Sequence, residues 1–106
     1  MQSIMATERG TCYLCKKYGL YAQKDTELYH IFGGGSRRAC NDDGVTIYLC
    51  RRHRRLCHEG SQSPMLRFKL HQEGQRKWLE HYGPDLVKAG KDPTEEFMKR
   101  YGRNYL

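Results

Sequence analysis

The stretch GVTIYLCRRHRRLCHEG, Gly44–Gly60, joins a strand, a metal-ligand pair and the start of a helix in one short run. Val45–Cys50 is β-branched and aromatic, the composition of a packed, pleated surface, and reads as the strongest strand in the chain. Directly after it the character turns helical, and Cys50-x-x-His53 sets a thiol and an imidazole at that junction. Upstream, Cys12-x-x-Cys15 supplies a second pair, and residues 27–32 read as another strand, ended by the triple glycine Gly33–Gly35. Structural zinc takes four soft or borderline ligands in a tetrahedron, and two short-spaced pairs on separate turns provide them. Cys12, Cys15, Cys50 and His53 are therefore the expected structural zinc ligands. Cys57 stands in reserve, and Cys40, in the expected polar loop SRRACNDDG (Ser36–Gly44), reads as a bystander thiol.

Composition supports a metal. A chain of 106 residues, 38% hydrophobic, has a limited core and needs a staple. Its mean hydropathy of −0.89 is polar for such a chain. The five cysteines, an odd number, fit a fully paired disulfide framework poorly. There is no secretory-signal pattern and no apolar run of membrane-spanning length, so a cytoplasmic protein without a membrane partner is expected. In a reducing compartment CxxC pairs point to metal or redox chemistry.

Nineteen Lys and Arg against twelve acids give a net charge of +7, and the pI is about 9.3. The excess gathers near the candidate ligands, at Arg37, Arg38, Arg51, Arg52, Arg54 and Arg55. That placement favours a phosphate-bearing partner, nucleic acid above all. No base-reading pattern stands beside it, so salt-dependent, weakly sequence-specific binding to DNA is expected, with strand form open.

The chain divides into a loose leader over residues 1–10, a stapled core over 11–60 and a helical extension over 61–106, all in one domain. CYLCKKYGLY, Cys12–Tyr21, reads as a turn followed by a strand-like piece. Ser63 and Pro64 start a helix that runs to Tyr82, with a stripe of apolar residues broken at Gly74, and Gly83 and Pro84 end it. A second helix starts at Asp92 with Pro93 behind it and Glu95 completing a capping box. Trp78 belongs to the core, and His71 and His81 to the surface. The fold class is α+β.

ELYHIFGGGSRR, Glu27–Arg38, sets His30 between a strand and the glycine turn, where it reads as a packed strand residue, a ligand or a catalytic base. His58 follows the second strand. A strand histidine that takes a proton from water, with a helix histidine that holds a divalent ion, is the layout of a ββα-metal nuclease.

The pattern CYLC…ELYHIFGG…GVTIYLCRRH…CHEG…EGQRKWLEHYG…GRNYL resembles a family of small phage and prophage HNH-type proteins, related to a phage recombination-enhancement DNA endonuclease. The resemblance runs from Cys12 to Leu106. It implies a zinc-stapled ββα-metal (HNH-like) core with appended C-terminal helices, in a protein acting in the bacterial cytoplasm. It also implies a metal-dependent hydrolysis of DNA phosphodiesters, with Mg²⁺, Mn²⁺ or Ni²⁺ as catalytic metal. By position, Cys12, Cys15, Cys50 and His53 match the family's zinc ligands, His30 its general base and His58 a ligand of the catalytic metal. Two positions depart from the pattern. Tyr29 stands where the family has a ligating histidine, and Ser36 where it has the asparagine that orients the base; Ser36 or Asn41 is expected to take that task. The departures open a second reading, a catalytically degenerate module that binds nucleic acid or a protein partner, for example a host defence nuclease.

Overall fold

The computed structural model describes residues 2–21 and 24–106. The chain runs α1 (Tyr13–Lys17), β1 (Thr26–His30), a 3₁₀ turn (Gly34–Ser36), α2 (Arg37–Asp43), β2 (Thr46–Cys50), α3 (Arg51–His58), α4 (Ser63–Lys88) and α5 (Pro93–Tyr101). The class is α+β, as the sequence suggests. Its sheet is a single antiparallel pair, with Thr26 opposite Cys50, Leu28 opposite Tyr48 and His30 opposite Thr46. No helix among the described residues is long and apolar enough to cross a membrane.

Side chains alternate across the pair. Tyr29, Ile47 and Leu49 turn to one face and are buried there. Past the strands, Ile31, Phe32 and Val45 continue the core toward Leu70 and Trp78 of α4 and Phe97 and Tyr101 of α5. Phe32 is the aromatic centre, with ring centroids 5.5 Å from Phe97 and 4.6 Å from Tyr101. The break at Gly74 in the apolar stripe of α4 is a packing device. A Cβ there would lie 2.9 Å from Ile31 Cγ2 and 3.2 Å from Val45 Cγ1, so only glycine lets the helix come this close.

Four local expectations are corrected by tertiary packing. The piece after Cys12 is helical, because Cys12 caps α1 and its sulfur accepts from the Cys15 N–H at 3.4 Å. The expected polar loop Ser36–Gly44 contains α2, closed by Gly44 in the left-handed conformation at φ 78°. Of the expected loose leader, Met1 lies outside the described residues; the rest is docked. Met5 is buried in the core, Ile4 N donates to Gly44 O at 2.8 Å, and Tyr48 N donates to Thr7 Oγ1 at 3.0 Å. Lastly, α4 runs through Gly83 and Pro84 to Lys88. Pro84 forfeits one backbone hydrogen bond, and Tyr82 and Leu86, packed against the core on either side of it, hold the helix together.

α2 carries the polar centre of the fold. Asp43 is buried, and its Oδ2 accepts from Trp78 Nε1 at 2.8 Å, Tyr101 OH at 2.7 Å and Arg100 Nε at 2.5 Å. Arg100 Nη2 donates to Oδ1 at 2.8 Å, and Tyr82 OH donates to the Asp43 carbonyl at 2.7 Å. Burial and then this carboxylate push the Tyr101 phenol far above its ordinary pKa. The tail is packed too: Gln75, fully buried, donates to Asn104 Oδ1 at 2.7 Å and accepts from Tyr105 N at 2.7 Å.

Asp43→Ala strands several donors at once and is expected to cost about 2–5 kcal/mol in chemical denaturation, with Asp43→Asn costing less. His71 gives a second test. It is half-buried against Phe32 and Tyr105, not on the open surface that the sequence suggests. Burial, first, lowers its pKa below the usual 6.5, so the unfolded chain takes up the proton first. The stability it contributes is complete above about 6.5 and is lost as pH falls from there through the lowered folded-state value. Thermal melts across this window should slope less in His71→Gln than in the parent.

Candidate metal centre and basic cleft

Both ligand pairs occupy the same two places on their helices. Cys12 is the N-cap of α1 and Cys15 its third residue; Cys50 is the N-cap of α3 and His53 its third residue. Side chains at these two positions meet over the first turn, as in a capping box. Each pair therefore presents two donors to one point, and α1 docks on the β2–α3 junction so that the two points coincide.

His53 Nδ1 lies 3.3 Å from Cys12 Sγ and 3.4 Å from both Cys15 Sγ and Cys50 Sγ. Cys15 Sγ and Cys50 Sγ are 3.9 Å apart, and all four donor atoms fall within 4.8 Å of one another. A tetrahedron with zinc–sulfur bonds of about 2.3 Å has edges of roughly 3.8 Å, so the spacing fits. All four residues are buried. Burial pushes the Cys12 thiol up, but hydrogen bonds from Cys50 and Cys15 outweigh it and leave its pKa below the ordinary value. Burial also lowers the His53 pKa, assisted by Arg52, which favours the neutral imidazole that a metal binds. The buried Cys3His group is thus suited to a structural metal ion such as zinc.

The other two cysteines serve packing. Cys57 is hydrogen-bonded to Tyr29, not held in reserve at the metal centre. Cys40 is no bystander in a loop: it is fully buried in α2, donates to Phe32 O at 3.1 Å and accepts from Phe32 N at 3.4 Å. Burial, first, raises its pKa to about 11, so it stays a thiol.

Across the sheet end from the metal centre, a cleft of about 230 Å³ is lined by Leu28, Tyr29, His30, Gly33, Gly34, Arg37, Arg54 and His58. His30 and His58, distant in sequence, thus share one cleft. His30 Nε2 donates to Asn41 Oδ1 at 2.8 Å, which orients the ring; in the tautomer that makes this bond, Nδ1 is the acceptor nitrogen. Asn41, not Ser36, orients the ring; Ser36 sits before α2 and does not line the cleft. Tyr29 turns into the core with its ring 5.8 Å from that of His58. Burial, first, raises its pKa to about 12, so it is a neutral phenol. A hard divalent ion such as Mg²⁺ does not fit these residues. The cleft lining offers two imidazoles and two guanidiniums but no carboxylate, and no further group of three or more candidate ligand side chains lies together among the described residues.

The six candidate arginines divide. Arg37 and Arg54 line the cleft, and Arg54 Nη1 also pairs with Glu27. Arg51, Arg52 and Arg55 line a separate groove beside the metal centre with Leu20, Tyr21 and Leu56. Arg38 is exposed and lines neither. Arg54 shares the cleft with His58 because their four-residue spacing on α3 puts both on one helix face. Comparison with family models, curated proteins and solved structures finds no match.

Metal analysis of protein purified without chelator should give one zinc per chain. In peptides, such sites bind with roughly 10–16 kcal/mol near neutral pH, as much as a small domain's whole stability. Cys50→Ser, His53→Ala or a strong chelator should therefore abolish the cooperative melt seen by circular dichroism. Folded protein with far less than one zinc would contradict the site.

Proposed function

We propose that this chain is a zinc-stapled, HNH-like DNA-binding protein whose basic cleft takes a DNA phosphodiester and hydrolyses it. The observation that carries the reading is the His30–Asn41 hydrogen bond, which leaves an oriented imidazole facing an arginine-lined cleft. As a water oxygen attacks phosphorus, His30 Nδ1 takes the water's proton, the bond from phosphorus to one sugar oxygen breaks, and that oxygen takes a proton from solvent; Asn41 is the positioning residue of His30. Arg37 and Arg54 hold the phosphate. The order of two antiparallel strands followed directly by α3, with the Cys3His cluster at the junction, is that expected of a ββα-metal core and supports the same reading. The DNA surface extends over Arg51, Arg52 and Arg55, as phosphate contacts that carry no sequence information.

One observation favours a second reading, a non-catalytic nucleic-acid-binding module. The neutral, core-facing Tyr29 and the arginines of the cleft leave no ligand set for the catalytic divalent ion that the sequence resemblance implies.

A nicking assay on supercoiled plasmid separates the two. The hydrolytic reading expects nicking that falls roughly 10²–10⁴-fold in His30→Ala, and less far in Asn41→Ala. Equal rates in parent and His30→Ala would leave only the binding module. Under either reading, DNA affinity should fall steeply with salt, and removing one phosphate-contacting arginine should flatten the log–log slope by about 0.9.

A further inference from the structure

We infer that the cleft between β1 and α3 is an oxyanion site, built to seat a phosphate on the guanidiniums of Arg54 and Arg37 where a divalent cation would otherwise meet it. The inference rests on the proposed function only in naming a phosphodiester as the natural occupant.

Three features of the cleft point to an anion. Its lining holds two guanidiniums and two imidazoles but no aspartate or glutamate, the reverse of what a hard divalent cation requires. Arg37 is exposed and makes no ion pair among the described residues. Arg54 is only partly used: Nη1 pairs with Glu27, while Nε is buried with no hydrogen-bond partner. An orphaned guanidinium donor is costly, and the Glu27 carboxylate, with 70% of its side chain exposed, is a weak competitor for the rest of the group. A planar guanidinium turned from Glu27 into the cleft can give Nε and one Nη to two oxygens of one phosphate.

Gly33 and Gly34 contribute backbone alone to the lining, so neither position puts a side chain into the cleft. Tyr29 closes the inner wall as an un-ionised phenol, adding no negative charge. His30, held through Nε2 by Asn41, lines the same cleft and turns its Nδ1 edge to a water beside the seated phosphate.

The test uses zinc-loaded protein and two probes. Titration with inorganic phosphate, followed by ³¹P line broadening and calorimetry, should show one anion per chain. Affinity should fall at least tenfold in the Arg37→Met/Arg54→Met double variant and in part in Arg54→Lys. Glu27→Gln frees Arg54 and should tighten phosphate severalfold, which an anion bound elsewhere would not do. Zinc content and the thermal melt verify that each variant is folded, and Arg37→Met alone, at an exposed position, gives the same direction without risk to the core. Titration with Mn²⁺, read by electron paramagnetic resonance, should find no stoichiometric site. No phosphate binding, binding unchanged by the arginine variants, or a Mn²⁺ site abolished by His58→Ala would each overturn the inference. Phosphate bound without DNA nicking leaves the oxyanion site standing and removes only the hydrolytic reading.

Discussion

Cys12, Cys15, Cys50 and His53 converge on one buried point, where a shared metal ion would tie the N-terminal half of this protein together. Each pair is the N-cap and third residue of a short helix, so local geometry already aims two donors the same way. What the cluster adds is the join between α1 and the β2–α3 junction. A helix of five residues and an isolated two-stranded sheet are both marginal alone in water. Held to one another by a buried ligand set, they form a platform on which α3 has a fixed direction. The position of every cleft residue on α3 follows from that.

A second constraint organises the C-terminal half. Asp43 gathers donors from Trp78 and Tyr82 of α4 and from Arg100 and Tyr101 of α5 onto the end of α2. A buried carboxylate with this many partners costs little to bury and much to disturb. It also fixes α2, and with it Asn41, two residues earlier in the same helix. The bond from His30 to Asn41 therefore depends on a polar knot that lies away from the cleft. The Cys3His cluster positions the α3 side of the cleft and the Asp43 knot the α2 side.

Two histidines, an orienting amide and arginines make the proposed chemistry one of phosphate and proton, with the metal confined to structure. The six candidate arginines serve two surfaces, since Arg54 faces the cleft while Arg51, Arg52 and Arg55 face the groove beside the cluster. Successive residues on a helix point about 100° apart, so one basic run cannot address one partner as a block. A strand of nucleic acid that touched both surfaces would cross α3.

The Cys3His pairs, a strand over Val45–Cys50, the helix after it and the cap at Asp92 were legible in the sequence, because each depends on spacing within a few residues. The presence of α2 was not, since Arg37–Asp43 is polar and its helix is held by Cys40 on Phe32 and by Asp43 on residues of α4 and α5. The continuation of α4 past Pro84 was hidden for the same reason, as packing of Tyr82 and Leu86 outweighs a local helix breaker. Likewise, strand alternation could not say that Tyr29 turns inward beside Cys57 or that Asn41, rather than Ser36, would reach His30. By itself, then, the sequence determined which side chains can bind a metal and which segments start and stop as strands and helices, all matters of short-range geometry. Only the tertiary structure decided the Asp43 knot, the division of the arginines and the make-up of the cleft, because each joins segments whose relative placement comes from long-range packing.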